Sequence, residues 1–203
     1  MTTVVAGALL AAAAAPAAAH LAVQTAHQRI SHRTRLRATL TVLAVIVGGV
    51  IAARQGLPAL AAALPALVPA VAAAVVDVHE RRLPDPLTAA VAAVVAIHLV
   101  VLLVLDGDVG LRGAWVLVGG ATLCLLAKAL LPNAIGWGDA KLAPSLAALL
   151  VFHGWSALYT GLLAWCVLVF ATAALDPMRH SSTAGVVAYG PALVAGTVCG
   201  IAS

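Results

Sequence analysis

Residues 87–105 read LTAAVAAVVAIHLVVLLVL, a run interrupted only by Thr88 and His98. A helix needs roughly 20 mostly apolar residues to cross a hydrocarbon layer about 30 Å thick, and this run meets that need. Similar runs flank it on both sides, at 3–23, 38–53, 57–77, 113–131, 141–153, 155–175 and 184–201. The second and sixth are short for a span. Over the whole chain of 203 residues, 64% are hydrophobic, 9% are charged and the mean hydropathy is +1.10. Soluble domains carry about 25% charged residues, so a water-soluble, disordered or nucleic-acid-binding protein is excluded. The expected fold is all-α, a polytopic transmembrane bundle of about eight spans. It forms a single membrane domain over 1–203, with N-terminal helices in 1–70 and a core in 71–201.

The loops between the runs alternate in charge. The first holds Arg29, Arg33, Arg35 and Arg37, the third Arg81 and Arg82, the fifth ends in Lys141, and the seventh holds Arg179. The even loops contain only Arg54 and Arg112, with Asp106 and Asp108. Basic loops stay on the cytoplasmic side, so the odd loops are expected to be cytoplasmic and both termini outside. The net charge of +4 then reflects orientation, not an anionic partner. The first run has a second reading as a signal peptide, because Ala17-Ala18-Ala19-His20 resembles a cleavage site. No Lys or Arg precedes it, and a signal peptide normally has a basic start. Cys124, Cys166 and Cys199 lie inside apolar runs and form no C-x-x-C pair, so buried free thiols are expected.

Of seven acidic residues, Asp106, Asp108 and Asp176 suit turns or helix stops. The other four fall in two loops on the expected cytoplasmic side. The first cluster is Asp77-Val78-His79-Glu80-Arg81-Arg82-Leu83-Pro84-Asp85-Pro86-Leu87-Thr88. Asp77 ends an apolar run, where both the helix macrodipole and desolvation disfavour its anion. An ionisable residue there points to catalysis or ion transfer, with pairing to Arg81 as the structural alternative. Asp85, between two prolines, is expected in a turn or as a cap of the following helix. The second cluster is Gly136-Trp137-Gly138-Asp139-Ala140-Lys141-Leu142. Asp139 is either the N-cap of the sixth helix or a reactive acid. The two glycines either shape a turn or let a substrate backbone approach. Lys141 either holds Asp139, contacts substrate or snorkels to water.

Together the clusters resemble the type IV prepilin peptidases, membrane aspartic proteases of the GxGD type. The resemblance rests on Asp77, Arg82-Leu83-Pro84-Asp85, Leu87-Thr88 and Gly136-x-Gly138-Asp139-x-Lys141-Leu142, with Val187-Ala188-Tyr189-Gly190-Pro191-Ala192-Leu193 similar to the family's last-helix motif. It implies Asp77 and Asp139 as a catalytic dyad, with Gly136, Gly138, Lys141 and Asp85 shaping the site. It also implies cleavage of basic leader peptides from prepilins or pseudopilins at the cytoplasmic face of a bacterial inner membrane. The family's four-cysteine methyltransferase insert has no counterpart here, so N-methylation is not expected. Asp85-Pro86 departs from the commoner Asn and non-proline. Two carboxyls brought close share one proton: one takes a proton from water while the other donates to the carbonyl oxygen. Such chemistry calls for no metal or cofactor. The expected partners are a basic-leader substrate and the lipid bilayer, with no nucleic acid. A small proton-coupled transporter relaying through Asp77, His98 and Asp139, or a silent secretion or pilus scaffold, are the competing functions.

Overall fold

The computed structural model describes residues 62–78, 83–131, 136–175 and 189–203. Six helices make up almost all of this: α1 (Ala62–Val78), α2 (Asp85–Leu105), α3 (Gly107–Leu130), α4 (Trp137–Phe152), α5 (Trp155–Leu175) and α6 (Gly190–Ala202). Each apolar run from 57 onward becomes one helix. The runs at 3–23 and 38–53 lie outside the described residues, as do His79, Glu80, Arg81, Arg82 and Asp176. Among the described helices, α2 and α3 are the two long and apolar enough to cross a membrane. The expected count of eight spans therefore stands at six helices and two full-length candidates over the described part.

Helices α2, α3 and α4 begin earlier than their apolar runs, because polar residues complete their first turns. Asp85 is the first residue of α2, with Pro84 as N-cap and a Pro in the opening turn. Proline's missing N–H costs nothing there, since that donor has no intrahelical acceptor anyway. This corrects the expectation for Asp85: it is neither a turn residue nor a capping side chain. Asp106 alone separates α2 from α3 and caps α3, accepting the Val109 N–H at 3.3 Å. Between α4 and α5 the chain reverses at Gly154, whose φ of 121° is a conformation that L side chains rarely adopt.

The packing has an inside and an outside of similar polarity. Helix α1 is buried all round, with Ala66, Leu67, Ala70, Ala73 and Val76 at 1% exposure or less. By contrast α2 and α3 bare large apolar side chains, Val104 at 79% and Trp115 at 71%, as α5 does with Phe170 at 75%. Apolar exposure on this scale needs an apolar surrounding. The uniform hydrophobicity of α2 and α3 suits helices long and apolar enough to cross a membrane.

Close helix contacts fall where side chains vanish. Gly113 abuts Phe152 while Gly120 abuts Pro144, which sets α3 antiparallel to α4. Gly196 lies against Trp165, and Gly200 against Ala157 and Gly161, which does the same for α5 and α6. Small residues let helix backbones approach where lipid leaves no hydrophobic drive between helices. A Cβ at Gly200 would stand 2.5 Å from the Ala157 carbonyl oxygen and 2.9 Å from the Gly161 Cα. Both are backbone atoms that cannot rotate away. Gly200→Val is therefore expected to destabilise the α5–α6 pair by about 1–3 kcal/mol, read as a lower thermal midpoint in detergent, while Cys199→Val on the exposed side leaves the midpoint near that of the parent.

Candidate functional site

Up-and-down connectivity brings the C-terminus of α1 and the N-termini of α2, α4 and α6 to one end of the bundle. Asp77, Asp85, Asp139 and Gly190 sit at those four positions. The two acidic clusters of the sequence therefore share an end, as the charge alternation of the loops required.

Asp77 is 4% exposed, in the last turn of α1. Its Oδ2 accepts the backbone N–H of Gly190 at 3.0 Å. Gly190 opens α6, and the first amides of a helix have no intrahelical acceptor and carry the positive end of the macrodipole. That amide favours the anion, but burial outweighs it and pushes the Asp77 carboxyl above its ordinary value. A Cβ at position 190 would come within 2.9 Å of the same oxygen, so glycine is what permits the contact. Gly190 was not singled out by sequence reasoning as a site residue. A signal existed in Tyr189-Gly190-Pro191, a helix start on the same side of the bundle as the acids.

Asp139 is the third residue of α4, whose N-cap is Gly136. The acid is thus not the N-cap that one sequence alternative allowed. Its carboxylate reaches back to the Gly136 N–H, the acidic half of a capping box. A Cβ at Gly136 would lie 2.8 Å from Asp139 Oδ2. The other oxygen, Oδ1, is buried and lacks a hydrogen-bond partner. Burial first, then repulsion from Asp77, push the Asp139 carboxyl up to about 7, against a smaller lowering by the Gly136 N–H. Asp77 is near enough for its charge to act on Asp139.

Gly136 and Gly138 have separate uses. The missing side chain of Gly136 leaves room for the carboxylate of Asp139, and that of Gly138 leaves room for Leu83, whose Cβ occupies the space. Lys141 does not hold Asp139. Its Nζ donates to Asp85 Oδ1 at 2.7 Å, tying the start of α4 to the start of α2. Both side chains are more than half exposed, which leaves such a pair worth little in isolation.

Next to this corner, an open groove of about 600 Å³ runs between α2, α3 and α4. Asp85 and Lys141 lie at its polar end, Ala92, Ala121 and Leu125 along its apolar walls. Neither Asp77 nor Asp139 lines it. His98 stands apart from the acids. It packs against Phe152 at the far end of α4, ring centres 6.3 Å apart, some 13 residues along that helix from Asp139, or about 20 Å at the α-helical rise. Among the described residues, no group of three or more His, Cys, Asp or Glu side chains could hold a metal ion.

No curated protein and no solved structure matches the chain. The profile of the type IV leader peptidase family matches residues 66–174, from within α1 to the end of α5, and so takes in both acids. That stretch is more than half of the 203 residues, and the chain belongs to the type IV leader peptidase family.

Proposed function

We propose that the protein is a membrane-embedded aspartic endopeptidase that removes basic leader peptides from prepilin or pseudopilin-like precursors, with Asp77 and Asp139 as its catalytic pair. The observation that carries this is the juxtaposition of two carboxyls, one buried beside a glycine amide and the other raised to about 7 in part by the first. Carboxyls coupled in this way hold one proton between them near neutral pH. Asp139, with an unpartnered buried oxygen, is the natural seat for that proton; Asp77, bonded at a helix N-terminus, is the natural anion.

In the reaction, Asp77 takes a proton from water as the water oxygen bonds to the scissile carbonyl carbon. Asp139 donates its proton to the carbonyl oxygen, giving a neutral tetrahedral diol. Collapse re-forms the carbonyl and breaks the C–N bond, the amine leaving with the proton that Asp77 acquired and Asp139 recovering its own from the diol. Asp85 and Lys141 shape the polar mouth beside the pair, Gly136 leaves room for the Asp139 carboxylate and Gly138 for Leu83. The site faces the cytoplasm, where the loop charges put it, in a bacterial inner membrane, and no methyl transfer follows the cut. A proton-relaying transporter fits less well, because His98 packs against Phe152, which lies about 20 Å along α4 from Asp139.

Co-expression with a leader-bearing pilin precursor tests the proposal through the mobility shift of the cleaved product. Asp77→Asn and Asp139→Asn are each expected to reduce cleavage by at least ~10³-fold, since half of a shared-proton pair cannot serve as both acid and base. Near-normal cleavage by either variant would remove the dyad. Because Asp139 acts as the acid, the rate should fall as pH rises through about 7. Infrared titration of its carboxyl, as wild type minus Asp139→Asn, should give the same midpoint. In Asp77→Asn the repulsion is gone, so the midpoint moves down; an unmoved midpoint would mean the acids do not interact. Gly136→Ala drives a methyl into Asp139 Oδ2 and is expected to lower kcat by about tenfold, roughly 1.4 kcal/mol, with KM little changed.

A further inference from the structure

Between the α4 and α6 starts stands a side chain from the corner that joins α1 to α2. Leu83 abuts Gly138, filling the space a Cβ would take there, and its Cδ2 comes within 3.3 Å of where a Cβ would be at Gly190. Gly138 directly precedes Asp139, and Gly190 donates the N–H that Asp77 accepts. One half-buried leucine therefore touches the neighbour of one acid and the hydrogen-bond donor of the other. Two residues on, the Asp85–Lys141 pair fastens the same corner to α4. Leu83 also packs against the hydrophobic core, so it is held from behind.

We infer that Leu83 is a positioning residue for the acid pair: a wedge seated on Gly138 and Gly190 that sets how far apart Asp77 and Asp139 are held. The inference rests on these two acids working as a pair. Protein interiors are packed to crystal density, and a truncated core side chain leaves a cavity into which the walls partly relax. Here the walls are the two helix starts that carry or hold the acids. Relaxation into the space of Leu83 draws them together; a methyl added at Gly138 pushes them apart. Repulsion between two charges varies inversely with their separation, so the titration of Asp139 reports the spacing. Of the ionisable groups that the described elements bring to this end, Asp77 comes from α1, Asp85 from α2, Lys128 from α3 and Lys141 from α4, with Tyr189 just before α6. Lys141 is held by Asp85 and Lys128 sits 5.5 Å over the Trp137 ring. Helices α5 and α6 carry no carboxylate, lysine, arginine or histidine.

The test is the infrared titration of Asp139 in the purified full-length protein, which needs no substrate. Leu83→Ala is expected to raise the midpoint and Gly138→Ala to lower it, each by about 0.5 pH unit, a ~3-fold change in the protonation equilibrium. The double variant Leu83→Ala/Gly138→Ala, in which the lost and gained volumes partly offset, should return close to the parent. Leu83→Met, nearly equal in volume, should leave the midpoint in place. Shifts of one sign that add in the double variant, or no shift in either single variant, would overturn the wedge, since loss of stability alone does not move a titration in opposite directions. Should Gly138→Ala fail to fold, Leu83→Ala against Leu83→Met decides: equal midpoints sink the inference. A parent protein that titrates as described but cleaves no leader counts against the peptidase and leaves the wedge standing.

Discussion

Burying two carboxyls at one end of an apolar bundle sets the constraint that the neighbouring structure answers. Among the described residues, the Gly190 N–H serves Asp77 and the Gly136 N–H serves Asp139. Both amides come from helix starts, where donors are spare and the local field favours an anion. In both cases a methyl on the glycine would sit within 3 Å of the carboxylate oxygen and make it shift. The bonds are enough to place the acids and too few to stabilise both as anions. An Asp139 oxygen without a partner is the visible residue of that shortfall.

The remainder of the bundle explains how such a site is held. Helix α1 is alanine- and valine-rich and enclosed, so its last turn carries Asp77 out of a fixed core. Helix α4 is likewise buried along most of its length, from Leu142 to Val151, which leaves its first turn as the part that meets water. The outer helices α2 and α3 have the opposite character, with apolar side chains facing outward. Acids at helix ends and apolar side chains along helix flanks put the two carboxyls at the end of the bundle, where burial shifts them.

Much of this could be read from residue order. The spacing of Asp77 and Asp139 across two runs, 87–105 and 113–131, with loop charges that alternate, already asked that they share one end of the bundle, and the six described helices agree. The Gly136-x-Gly138-Asp139 string pointed to a tight approach at a helix start. It did not tell what approaches. Glycine in a sequence signals that something is close, and only the fold says whether that is a substrate, a carboxylate or a leucine. The same holds for Lys141: its neighbour in sequence is Asp139, and its partner is Asp85, 56 positions away. Gly190 was hidden for a related reason, since a hydrogen bond over 113 residues leaves no local pattern. Helix starts were misjudged wherever an aspartate preceded an apolar run, because hydropathy marks where lipid begins and hydrogen bonding marks where the helix begins.

The corner between α1 and α2 shows why these two kinds of boundary matter together. Pro84 ends the possibility of one continuous helix and opens α2 at Asp85. Leu83, two residues before that helix start, stands against the two glycines. A smaller side chain there would leave a cavity into which the starts of α4 and α6 relax, and the repulsion from Asp77 that helps hold Asp139 near 7 would grow. An apolar side chain at this position thus bears on protonation as well as on packing, through the spacing it sets between the two acids.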